Sequence, residues 1–144
     1  MRLYLGPVAP DGVLAWTTWA REVIDDLRND PRAGVCLSDR VLEDIKGYVA
    51  EWERTTARSD GSFRWQCELP PEDLEYLSNA FYNLDLHLRS NGRGGSGSAL
   101  PAEGRAFHLV LVRALLSALA LESPTHAAFV DQMQGSWPSA VEAL

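Results

Sequence analysis

Lysine is nearly absent from this chain of 144 residues, in which Lys46 is the only one. Lysine and arginine together number 13 against 20 aspartates and glutamates, which gives a formal net charge of -7 at neutral pH. A protein with this charge repels nucleic-acid phosphates and anionic lipid headgroups. The composition therefore argues against direct binding of nucleic acid or membrane. It favours a basic protein partner, because opposite charge accelerates encounter.

Cysteine is also scarce, since only Cys36 and Cys67 occur. The two residues are far apart in the sequence and form no Cys-x-x-Cys pair. Two cysteines are too few for the disulfide framework of a small secreted domain. We therefore expect two reduced thiols in a cytoplasmic protein.

Long uninterrupted hydrophobic runs are missing as well. The N-terminal apolar stretch is broken by Pro7 and Pro10 too early to be the core of a signal peptide. The longest apolar stretch, residues 106–121, contains His108 and Arg113, and a membrane span needs about 20 predominantly apolar residues. We expect a soluble protein in which this stretch forms a core helix.

The sequence does contain the apolar periodicity of a helical domain. Its 46% hydrophobic and 23% charged residues are typical of globular proteins, and its length predicts a single domain over residues 1–144. Apolar residues recur at helical spacing in several segments. The predicted helices span about residues 11–28, 38–54, 71–91, 102–122 and 123–135.

One segment instead has the alternation of a β-strand. Residues 63–69 alternate Phe63, Trp65, Cys67 and Leu69 with polar side chains. An isolated strand leaves its backbone groups unpaired, and residues 2–5 alternate in the same way before Gly-Pro interrupts them. We therefore predict a two-stranded β ribbon that pairs residues 2–5 with 63–69. The predicted fold class is α+β, mainly helical, with about five helices.

Residues 92–97 match the G-x-G-x-x-G pattern of dinucleotide-binding loops. Such a loop connects a strand to a helix whose N-terminus faces the pyrophosphate. Here the predicted third helix precedes the glycines, and no helix begins within them. We therefore interpret residues 92–101 as a flexible loop rich in glycine and serine, and we expect no bound cofactor.

The histidines do not form a recognisable metal or catalytic motif. His87, His108 and His126 fall on three different predicted helices, and none has the spacing to another ligand that a helical metal site needs. We expect no metal, although the sequence leaves open whether the three converge in space. His108 has apolar helical neighbours, which favours a core histidine. The alternative is a small-molecule-binding or catalytic domain with an interhelical pocket around His108 and Arg113.

The third predicted helix carries the candidate interaction surface. Tyr82 and Leu86 are four residues apart and are expected to project away from the apolar sector, onto a face shared with Glu72, Glu75 and Asn79. Aromatic side chains among charged ones are typical of protein interfaces, although the C-terminal tail is an alternative cover for this face. The sequence thus favours a non-enzymatic protein-binding module, such as a regulator, an antitoxin or an immunity-type inhibitor. A homodimer remains open.

Overall fold

The computed structural model describes residues 2–29, 38–58, 61–91 and 100–122. Within them the chain forms two strands and four helices, so the predicted mainly helical α+β fold is confirmed. The elements are β1 (Arg2–Val8), α1 (Pro10–Asn29), α2 (Asp39–Ala57), β2 (Phe63–Glu68), α3 (Pro71–Asn91) and α4 (Ala102–Glu122).

Several sequence predictions fall on other parts of the chain. The predicted fifth helix at residues 123–135 lies outside the described residues, as do Cys36, His126 and residues 92–99 of the predicted flexible loop. The side chains of Leu86 and His87 on α3 also lie outside the described part.

Two helix ends differ from the prediction. α1 begins at Pro10, one residue before the predicted start, and Asp11 lies in its first turn. α2 continues to Ala57, beyond its predicted end at residue 54. There the hydroxyls of Thr55 and Thr56 donate to backbone carbonyls one turn earlier, at 2.9 and 2.8 Å. Threonine can satisfy its hydroxyl within a helix in this way, so these polar side chains are compatible with the last turn of α2.

The predicted β ribbon is present, and its first strand is longer than expected. β1 and β2 are antiparallel, with Leu5 opposite Trp65 and Val8 opposite Phe63. Between these pairs, two residues of β1 oppose one residue of β2, which is the geometry of a β-bulge. Gly6 adopts a φ of 109° at this point, a conformation that glycine reaches without steric penalty. Gly-Pro therefore bends β1 but does not end it.

An aromatic cluster holds the helices and β2 together. Trp16 of α1 is fully buried, and its ring centroid lies 5.1 Å from Phe107, 5.5 Å from Trp52 and 6.3 Å from Phe81. Phe63 of β2 joins the cluster 5.7 Å from Phe107. Tilted and edge-to-face ring pairs add stabilisation beyond the burial of area. Trp16 thus connects α1 directly to α2, α3 and α4.

An ion pair fixes α1 against α2. The Arg21 guanidinium donates from Nε to both carboxylate oxygens of Glu53, at 2.9 and 3.1 Å. The hydrogen bond to Glu53 is the main reason that the pKa of Arg21 is raised. Arg28 forms a second ion pair between the two helices, with Glu43. The bidentate contact of Arg21 with Glu53 defines the geometry between α1 and α2 as well as stabilising it.

α4 is the most apolar helix in the described part of the chain. Residues 102–121 have a mean hydropathy of 1.5 and enough length to cross a membrane, but half of this segment is buried inside the protein. Its buried side chains include Phe107, Leu111 and Leu115, which belong to the hydrophobic core. α4 therefore has the burial expected of a core helix in a soluble protein.

Candidate functional site

The exposed face of α3 contains three of the predicted surface residues. The side chains of Glu72, Glu75 and Asn79 are all exposed. Residues three and four apart lie on one side of a helix, so these side chains form a polar stripe along α3. The structure therefore gathers this part of the predicted surface.

Tyr82 does not project away from the core as the sequence suggested. It is half-buried and packs against the hydrophobic core. One turn earlier on the same side, Ser78 is buried because its hydroxyl donates to the Leu74 carbonyl at 2.8 Å. Because this bond satisfies its hydroxyl, Ser78 can lie on the buried face of α3. The buried face therefore extends further around the helix, toward Tyr82. A serine gives no hydrophobic signal, so the apolar pattern alone underestimated the buried sector.

His108 is part of the aromatic core. Its side chain is buried, and its Nδ1 accepts a hydrogen bond of 2.8 Å from Nε1 of Trp16. The imidazole ring also lies 6.0 Å from the ring of Trp19, at a perpendicular angle. An Nδ1 that accepts a hydrogen bond carries no proton. His108 thus links α4 to α1 through the indole of Trp16.

Arg113 and His108 differ in burial and lie on different sides of α4. Arg113 is exposed, whereas His108 is buried. Five residues along a helix correspond to a rotation of about 140° between side chains, so the two point to different sides of α4. The alternative interpretation, an interhelical pocket around both residues, stays a prediction.

A groove that the sequence did not indicate lies between α2 and α3. Its volume is about 690 Å³. The Tyr76 hydroxyl donates to Oδ2 of Asp44 at 2.8 Å, which joins the two helices at this groove. The lining residues most relevant here are Asp44, Gly47, Tyr48, Glu51, Asp73 and Tyr76.

Negative charge dominates this groove. Four carboxylates line it, against the single guanidinium of Arg40. Burial raises the pKa of Tyr48, and the negative charges of Asp73, Glu51 and Asp44 raise it further. Burial and the hydrogen bond to Asp44 likewise raise the pKa of Tyr76. With four carboxylates against one guanidinium, the groove has a negative potential, which favours a cationic occupant.

Gly47 lines the groove, and no contact with another described residue requires a glycine at this position. A Cβ atom built at this position meets nothing within 4 Å. Glycine inside a helix costs about 1 kcal/mol relative to alanine, and Gly47 lies near the middle of α2. The space that a side chain would occupy therefore belongs to the groove.

No group of three or more His, Cys, Asp or Glu side chains suited to a metal ion occurs among the described residues. Carboxylates are numerous at the groove between α2 and α3, but Glu43 pairs there with Arg28, and Glu51 accepts a hydrogen bond of 3.4 Å from Nε1 of Trp65. The arrangement provides negative potential and hydrogen-bond acceptors next to aromatic rings. Such a surface is chemically suited to recognising cationic side chains.

Cys67 on β2 is expected to be a slow nucleophile. It is half-buried, and burial, followed by the negative charge of Glu51, raises the pKa of its thiol. A raised pKa leaves less of the reactive thiolate at neutral pH. In a Cys36→Ser variant, Cys67 should react with a chromogenic disulfide reagent several-fold more slowly than glutathione, and its rate should rise toward alkaline pH. The same variant in urea should react at the glutathione rate; equal rates in the folded protein would contradict this assignment.

Comparisons with protein families, with curated proteins and with solved structures found no match to this chain. The candidate surface therefore rests on the burial, contacts and charge of this chain's own residues.

Proposed function

We propose that this chain is a non-enzymatic protein-binding module of the cytoplasm. It presents the acidic, partly aromatic surface of α3 to a basic protein, as a regulator, an antitoxin or an immunity-type inhibitor does. The observation that carries this proposal is the exposure of Glu72, Glu75 and Asn79 along one side of α3. On the adjacent side, Asp73 and Tyr76 border the groove toward α2.

The composition of this surface supports binding to a protein. Tyrosine is enriched in the centre of protein interfaces, whereas charged residues surround that centre. Tyr76 is a large aromatic side chain that is 42% exposed on this surface. The surrounding carboxylates add long-range attraction to a basic partner, which raises the association rate and disfavours acidic proteins.

The test is capture of a partner from a lysate of the native host. We expect the wild-type protein to retain a basic partner and the Glu72→Arg/Glu75→Arg variant to lose it, because the variant reverses two charges at the interface. Tyr82 is left unchanged, since it packs against the core and its truncation would destabilise the fold.

The matched control is Asp26→Arg/Glu103→Arg. It makes the same change in net charge, and each pair includes one acidic residue in the first turn of a helix. Both Asp26 and Glu103 are exposed. The control should retain the partner and both variants should melt close to the wild-type temperature. Retention of the partner by Glu72→Arg/Glu75→Arg, or its loss from both variants, would contradict the proposal.

A further inference from the structure

We propose that the groove between α2 and α3 receives an extended, arginine-bearing segment of the partner. This inference rests on the proposed function and adds the chemistry that the partner must carry. Its guanidinium groups meet Asp44, Glu51 and Asp73, while its backbone passes over α2 at Gly47. A volume of about 690 Å³ lies within the range of about 300–1,000 Å³ that is common for ligand sites.

Charge complementarity selects a cationic occupant. Asp44, Glu51 and Asp73 come from two helices and surround the half-buried Tyr48, whose ionisation they oppose. Glu43 is engaged with Arg28, and Arg40 is the single cation among the lining residues. The groove therefore keeps an excess of negative charge that its own residues do not neutralise.

The tyrosines select arginine over lysine. Tyr76 is 42% exposed, and its hydroxyl is held by Asp44 on the other helix. Tyr48 presents a second ring to the same groove. A planar guanidinium can stack on an aromatic face while donating to carboxylates at its edge, whereas a lysine ammonium is a compact and strongly hydrated point charge. Rings and carboxylates side by side thus suit arginine.

Gly47 leaves room for a main chain to approach α2 closely. The open space at its Cβ position lies inside the groove, and no described residue packs into it. Glycine is favoured where another backbone or a ligand comes near the chain. This observation is independent of the acidic residues, because it concerns space and not charge.

The first test fills the groove without changing its charge. The probe is a fluorescein-labelled peptide of alternating arginine and alanine, titrated by fluorescence anisotropy at near-physiological salt. Gly47→Gln places a neutral side chain in the groove and raises helix propensity, so the fold is retained. We expect it to weaken peptide binding about tenfold or more. Ala57→Gln, on an exposed position of the same helix, should leave binding within about twofold.

The second test removes charge from the groove. Asp44→Asn/Asp73→Asn keeps side-chain shape and should also weaken binding about tenfold or more. The control Asp11→Asn/Asp26→Asn changes net charge equally on the exposed side of α1 and should have little effect. A lysine-alanine peptide of the same length should bind the wild type several-fold more weakly than the arginine peptide.

Three outcomes would overturn the inference. Equal losses in the groove variants and their controls would indicate attraction by net charge alone. A lysine peptide that binds as tightly as the arginine peptide would remove the role of the tyrosines. Weak binding of the arginine peptide by every protein, the wild type included, would mean that the groove does not receive arginine. None of these outcomes decides the proposed function, which is tested separately by partner capture with the Glu72→Arg/Glu75→Arg variant.

Discussion

Replacing Trp16 with alanine is expected to lower the free energy of unfolding by about 3–5 kcal/mol, which is typical for truncating a large buried aromatic side chain. Trp16 is fully buried at the centre of the aromatic cluster. The change also removes the indole N–H that donates a hydrogen bond to Nδ1 of His108. An unsatisfied buried acceptor costs a further amount of about 1–3 kcal/mol. Urea unfolding followed by circular dichroism measures the loss.

Two further variants separate packing from hydrogen bonding. Trp16→Phe keeps an aromatic ring and removes the donor to His108, so it should fall between the wild type and Trp16→Ala. Tyr4→Ala changes an aromatic residue that is 60% exposed on β1 and should cost less than about 1 kcal/mol. If Trp16→Ala were no more destabilising than Tyr4→Ala, Trp16 would not be the centre of the core.

Gly6→Ala is expected to destabilise the protein by about 2–4 kcal/mol, because two unfavourable effects combine there. The φ of 109° at Gly6 is one that residues with a side chain rarely adopt. In addition, a Cβ atom at this position would clash with the backbone oxygen of Phe63 in β2. The clash involves a neighbouring strand, so it can be relieved only by moving the β ribbon. Thermal melting of the variant should show a clear decrease in midpoint.

Gly61→Ala is the matched control for this prediction. Gly61 also has a positive φ, of 138°, but a Cβ atom there meets nothing within 4 Å. Its substitution should therefore lower the free energy of unfolding by the backbone strain alone, about 1–3 kcal/mol, with no added clash. The two variants would differ by the energy of the contact with Phe63. Equal losses would mean that β1 and β2 separate easily at the bulge.

Much of the fold followed from periodicity in the sequence. The alternation around Trp65 and the matching alternation of Leu3 and Leu5 were sufficient to pair β1 with β2, because strand pairing has few alternatives in a chain with two strand-like segments. Helical spacing likewise placed α3 and α4. The extension of β1 to Val8 was not predictable from the same signal, since a bulge breaks the alternation on which the prediction depends.

The candidate site was less predictable because it depends on contacts between distant residues. Trp16 and His108 are 92 positions apart, and nothing in either local pattern shows that their side chains meet. The groove was missed for the same reason. Tyr76 and Asp44 lie on the polar sides of two different helices, where each one alone indicates only a solvated surface. The packing of α2 beside α3 is what turns these two surfaces into one concave site.

Tyr48, one of the two tyrosines that line the groove, also packs against the core. The Tyr48 ring lies 6.1 Å from that of Trp52 and 6.2 Å from that of Trp65, both of which are buried. A side chain braced in this way has already lost most of its rotational freedom before any ligand arrives. Recognition at Tyr48 therefore needs little ordering of the receptor, and a preorganised contact of this kind retains more of its interaction energy as affinity.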